Sequence, residues 1–308
     1  MCRKTVLMCV ALVLAGAVAR SAIASSIGKP LDLRERIQRA HLVCEARLIA
    51  KETPIQVTNA EWFGALLKDE EEAIGKHAGT RQPLILEITC VFFGLAKVGE
   101  RIDVIASWPV SVSQVEVNQV ALFVLEFNPA YRGGCYVIPG VFDALAKVDG
   151  SYVDRERRLF SEEYVRSAVE EVSLPSVAEH AELAIIGHVL NTRPERRTVD
   201  GRDVRLRVLS IQVDETLIGA AGAVVEVSQP LGRYNPPWRR PMPSQVEAGT
   251  RWLLFLVRGE VGWYPYMGHH GMLGITKENQ LLMDGMPMGA TMEQVRRVVG
   301  APRRGEQR

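Results

Sequence analysis

Leu42-Val43-Cys44-Glu45-Ala46-Arg47-Leu48 and Leu183-Ala184-Ile185-Ile186-Gly187-His188-Val189 carry one strand pattern twice. Further matches follow in the same order. Val115-Glu116 returns as Val246-Glu247, and Ala121-Leu122-Phe123-Val124-Leu125 as Trp252-Leu253-Leu254-Phe255-Leu256. Ser161-Glu162-Glu163-Tyr164-Val165-Arg166 returns as Thr291-Met292-Glu293-Gln294-Val295-Arg296. Shared element order over this length marks one unit used twice. It predicts two modules, residues 31–172 and 174–301, in a chain that is mainly β.

The strands of the module read from alternation. Val204, Leu206 and Val208 alternate with Arg205 and Arg207, a half-buried pattern, and then the phase flips to Leu209, Ile211 and Val213. A flip in mid-strand predicts a β-bulge, which gives the bend and twist that a small barrel needs. The runs Val120 to Phe127 and Arg251 to Val257 hardly alternate and are expected deep in the core. Asp149-Gly150 predicts a tight hairpin. Each copy ends in a helix: Ser161 caps the first, and Thr291 with Gln294 forms a capping box on the second, which Gly300 and Pro302 end. The expectation is therefore two tandem small β-barrels, each with a C-terminal helix.

The spacing between copies reports insertions. It is 141 residues at the first strand and 120 at the second, which aligns Cys44 with Ile185 and Cys90 with Ser210. The first copy thus holds about 21 extra residues, which include an expected helix at about 59–74 with Trp62, Phe63 and Leu67 on its apolar face. The second copy carries a proline-rich loop at 229–243. The junction from Glu170 to Pro175 is short, so the modules are expected to touch.

The strand Ala181 to Val189, the run Val208 to Gly219 and the segment Gly249 to Leu256 together resemble the OB-like barrel of tissue-inhibitor-of-metalloproteinase and netrin-type modules in exported bacterial proteins. The resemblance implies an OB-like fold for both copies. Inhibition does not follow, because those inhibitors present an N-terminal Cys near a metal, and neither Ser25 nor the second copy supplies one.

Residues 1–24 read as a signal peptide: Arg3 and Lys4, an apolar run from Val6 to Ala19, then Ala22-Ile23-Ala24 before Ser25. The run is shorter than the roughly 20 residues of a membrane span, so the chain is expected to be exported to the periplasm or beyond, with no transmembrane segment after cleavage. Net charge is +1, which gives no reason to expect a nucleic-acid partner. Cys44, Cys90 and Cys135 remain in the mature chain, all in the first copy. The second copy folds without them, so this is not a disulfide scaffold, and Cys44 and Cys90 are expected to face the core as buried thiols, with one bridge among the three as the alternative.

The strongest binding candidates are Arg233, Tyr234, Trp238, Arg239 and Arg240, aromatic and guanidinium groups on a segment stiffened by four prolines. Packing against a barrel is the competing reading for that loop. Gly268-His269-His270-Gly271 is expected as a solvent-exposed turn, with no carboxylate or Cys at ligand spacing to make a metal site. His188 is expected to point outward. No nucleophile elbow, Ser-x-x-Lys or phosphate-cradling glycine loop is present. No catalytic residue, metal or cofactor is expected. The reading is an exported, non-catalytic binding protein for a protein or envelope ligand; an enzyme modulator such as a protease inhibitor, or a hydrolase, is the alternative. A dimer through Trp62, Phe63 and Leu67 is a third possibility.

Overall fold

The computed structural model describes residues 32–58, 79–107, 115–128, 131, 134–138, 144–199, 202–231, 246–260 and 262–300. The expected signal peptide, the helix at 59–74 with Trp62, Phe63 and Leu67, and residues 232–245 lie outside the described residues.

The chain folds mainly as strands, in two sheets of matching design. The first contains β1 (Leu42–Lys51), β2 (Ile55–Val57), β3 (Gly79–Phe93), β4 (Arg101–Ser107), β5 (Val120–Asn128), β6 (Cys135–Ile138), β7 (Leu145–Val148), β8 (Ser151–Val153) and β9 (Leu159–Phe160). The second contains β10 (Leu183–Val199), β11 (Arg202–Ile218), β12 (Val224–Leu231), β13 (Arg251–Gly259), β14 (Gly262–Pro265), β15 (Met272–Ile275), β16 (Gln280–Met283) and β17 (Met286–Thr291). In the first sheet the ring runs β1-β3-β4-β6-β5 and returns to β1; in the second it runs β10-β11-β12-β14-β13 and returns to β10. Within each ring one pair is parallel, β4 with β6 and β12 with β14. A five-strand ring of this order is the OB-like barrel expected from the sequence.

Burial explains the poor alternation of the ring strands. Cys44, Ala46, Phe123 and Leu125 point into the first barrel, while Val43, Leu122 and Val124 face outward under helices. Those helices are α1 (Leu33–Ile37), capped by Asp32, and α2 (Glu162–Glu170), capped by Ser161. On the second barrel Ile185, Leu254 and Leu256 point in, while Ala184, Ile186, Leu253 and Phe255 meet α3 (Leu174–His180) and α4 (Met292–Val299). Each fully buried Leu or Phe contributes about 1.5–3 kcal/mol, so these double-sided strands anchor the fold.

Two expectations are corrected in register. The bulge does not sit in β11 between Val208 and Leu209; the extra residue is across the ladder in β10, where Leu190 falls between Val189↔Ile211 and Asn191↔Ser210. At this point the partner strand takes the insertion; β11 carries its own extra residues further along, Asp214 and Leu217. Cys90 does not correspond to Ser210. It pairs with Glu45, as Glu215 pairs with Ile186, so the second strands match five residues further along. A register shift between Glu45 and Ala46 then turns Cys90 onto the side of Glu45, and the thiol is half-buried rather than in the core. Cys44 does lie in the core, and Cys44, Cys90 and Cys135 form no disulfide. No helix among the described residues is long and apolar enough to cross a membrane.

Candidate functional site

The strongest cluster of ionisable groups forms where the barrels meet. His41 immediately precedes β1, and its backbone N–H donates to the Leu125 carbonyl at 2.8 Å. Asp284 lies 243 residues away, in the two-residue turn that joins β16 to β17. Asp284 and Gly285 take φ of 49° and 84° between the paired residues Met283 and Met286. An Asp-Gly pair with both φ values positive is the favoured type I′ hairpin turn, so local chemistry alone holds this carboxylate at the hairpin tip. His269 and His270 sit in the short 3₁₀ turn Gly268–Gly271. A Cβ on Gly271 would lie 1.9 Å from the Tyr266 carbonyl oxygen, so only glycine lets the chain pass there.

The expected exposed turn is therefore corrected. His269 is fully buried and His270 nearly so. The glycines signal a turn, but the surface covering it comes from the other barrel: the His41 and His269 rings lie 4.7 Å apart, those of His269 and His270 4.4 Å, and Phe93 meets His270 edge-on at 5.4 Å. His41 Nε2 and Asp284 Oδ2 are 2.8 Å apart, and His269 Nδ1 lies 3.7 Å from the same oxygen. Burial opposes ionisation of Asp284, but the hydrogen bond from His41 and the electrostatic pull of the His269 and His41 rings outweigh it and hold the carboxyl below its ordinary value. Glu126, on β5, is pushed up to about 7 by burial and by Asp284, against the pull of Arg39 and His41.

Hydrogen bonding fixes the chemistry of His41. The Phe127 backbone N–H donates to His41 Nδ1 at 3.1 Å. A neutral imidazole has one lone pair, so Nε2 carries the proton and donates it to Asp284. His41 therefore has no free lone pair to act as a general base. His41, His269 and Asp284 place ligand atoms within 4.8 Å of one another, the one such group among the described residues that could hold a metal. For Nε2 to ligate an ion while Nδ1 accepts from Phe127, the ring would have to become an imidazolate. That leaves only two ordinary ligands, fewer than the three protein ligands usual even for an open zinc site. The arrangement suits a proton better than an ion. It clasps one barrel to the other.

A second feature opens at the mouth of the second barrel. A cleft of about 350 Å³ is lined by Leu183, Val225, Glu226, Arg197, Arg258 and Trp263 among others, with the short residues Ala220, Ala221 and Gly222 on one side. Leu183, Val225 and Trp263 belong to the apolar interior of the barrel, so the floor is the end of its core. The guanidinium of Arg258 lies over the Trp263 ring at 4.9 Å from its centre. Sequence reasoning missed Trp263. Its signal is Gly259-Glu260-Val261-Gly262 just before it, where Gly259 pairs with Gly262 at the β13–β14 turn.

The sequence-derived binding residues Arg233, Tyr234, Trp238, Arg239 and Arg240 lie outside the described residues. Their loop leaves β12, the strand that lends Glu226 and Ser228 to the cleft. His188 points outward as expected, half-exposed, with Nδ1 2.8 Å from Asp214 Oδ2.

No family model matches the chain, and no curated protein matches it. A solved structure described as "Molecular basis for abrogation of activation of pro-inflammatory cytokines" aligns over 76% of this chain and 94% of its own, at 10% identity and a TM-score of 0.21. A likeness at that score carries no argument.

Proposed function

We propose that this chain is an exported, non-catalytic binding protein of the cell envelope or extracellular space, and that the mouth of its second barrel receives the ligand. The observation that supports this reading is the cleft, where an apolar floor meets a guanidinium-bearing rim. Barrel mouths with a few convergent polar groups are common ligand sites. The inter-barrel cluster is a poor centre for turnover, since His269 is sealed from solvent and both nitrogens of His41 are engaged. Export rests on Arg3, Lys4, the apolar run and Ala22-Ile23-Ala24. The netrin-type resemblance belongs to this reading as a shared barrel pattern, without inhibitory activity.

The test is capture from envelope extract by the chain and by a Trp263→Ala, Arg258→Ala variant of equal melting temperature. A component retained by the parent and lost by the variant supports the proposal. Equal retention by both, or none by either, defeats it.

A further inference from the structure

Within that binding reading, we infer that the second barrel's mouth takes a small anionic ligand with one flat apolar face, such as a ring that bears a carboxylate, phosphate or sulfate. Trp263, half-buried above Leu183 and Val225, offers a face for one ring, and about 350 Å³ lies at the small end of ligand sites. The rim supplies the charge. Glu226 is engaged by Arg193 at 2.7 Å, and Arg197 is held by Glu195. Arg258 makes no ion pair with any of the described residues, and its side chain is exposed. The Arg258 guanidinium lies 4.9 Å from the centre of the Trp263 ring, and a guanidinium over an aromatic face keeps N–H groups available to grip a planar or tetrahedral anion through two hydrogen bonds.

The first barrel is an internal control. Strand pairing puts Phe127 opposite Tyr136 where the second barrel has Arg258 opposite Trp263. Phe127 and Tyr136 pack edge to face at 5.9 Å, an apolar pair with no cation. The same ladder position is thus closed by two aromatic rings in one barrel and carries a stacked guanidinium in the other. One uncompensated guanidinium over so short a cleft suits a single head group rather than a polyanion, which needs a track of basic residues.

The experiment is calorimetric titration of the chain with phenyl phosphate, benzoate, benzyl alcohol and benzylamine, with inorganic phosphate as the ring-free probe. Phenyl phosphate and benzoate are expected to bind at least tenfold more tightly than benzyl alcohol, and benzylamine not at all. Arg258→Gln should bring both anions down to the level of benzyl alcohol, Arg258→Lys should recover part of the loss, and Trp263→Leu should weaken every ring-bearing probe. Equal affinity for benzyl alcohol and benzoate overturns the inference, as does anion binding untouched by Arg258→Gln, or no binding by any probe. If extract capture depends on Trp263 while no probe binds, the ligand class falls and the binding reading stands. If the probes bind as expected but nothing is captured, the ligand class stands by itself.

Discussion

Replacing Glu126 by Gln should stabilise the protein at alkaline pH and leave it unchanged in acid. Glu126 is raised from an ordinary 4.5 to about 7, first by burial and then by the neighbouring charge of Asp284. A carboxyl with a raised folded-state pKa binds protons more readily in the native state than in the unfolded chain. Its protonation therefore favours folding below the unfolded value of 4.5, and that advantage drains away as pH rises towards 7. Above 7 the native state holds a charge it solvates poorly. A separation of 2.5 units corresponds to about 3 kcal/mol, at 1.36 kcal/mol per unit. The side chain is only half-buried, so water screens part of this, and the expected gain for Glu126→Gln is about 1–3 kcal/mol. Urea unfolding at pH 4, 6 and 8 measures it. The curves should coincide near pH 4 and separate steadily to pH 8. A difference that is constant across this range, or a variant less stable at pH 8, refutes the reasoning.

Removing His41 by His41→Ala strips Asp284 of its hydrogen-bonded partner inside the interface, and denaturation should show a loss of about 3–5 kcal/mol. Asp284→Asn keeps the shape without the charge and should cost less. Zinc added at equimolar concentration should not raise the melting temperature, since the His41 lone pair is taken by Phe127; a rise accompanied by proton release would disprove the assigned tautomer. Burial pushes the Cys44 thiol far up, so with a thiol reagent at pH 8 the half-buried Cys90 and Cys135 should be modified first and Cys44 only on unfolding.

Much of the barrel design is legible in the sequence. The repeat order, the double-sided strands at 120–127 and 251–257, the Asp149-Gly150 hairpin and both helix caps are local signals, and each is found in place. What fails is register. Alternation from Leu86 and Ile88 carries Cys90 into the core, and it cannot see the extra residue in β3, where Thr89 falls between Glu45↔Cys90 and Ala46↔Ile88 and exchanges the two faces. The clasp was hidden for a different reason. Asp284-Gly285 is a readable turn and His41 a readable strand edge, but nothing local joins residues 243 positions apart. The Gly-flanked histidine pair reads as exposed because the covering surface of Phe93 and His41 belongs to the other copy. Trp263 was passed over because its role depends on Arg258, whose alignment over the ring comes from strand pairing.

The Asp284 hairpin also makes the two halves dependent on each other. Cleavage between Val172 and Leu174 would give one fragment with the His41 side chain and Phe93 newly wetted, and another with Asp284, His269 and His270 stripped of their cover. Although each fragment holds a complete five-strand ring, neither would be a self-sufficient module. Expressed separately they should behave as complementing partners that recover the native form on mixing, so that the duplicated chain works as a covalently tethered heterodimer.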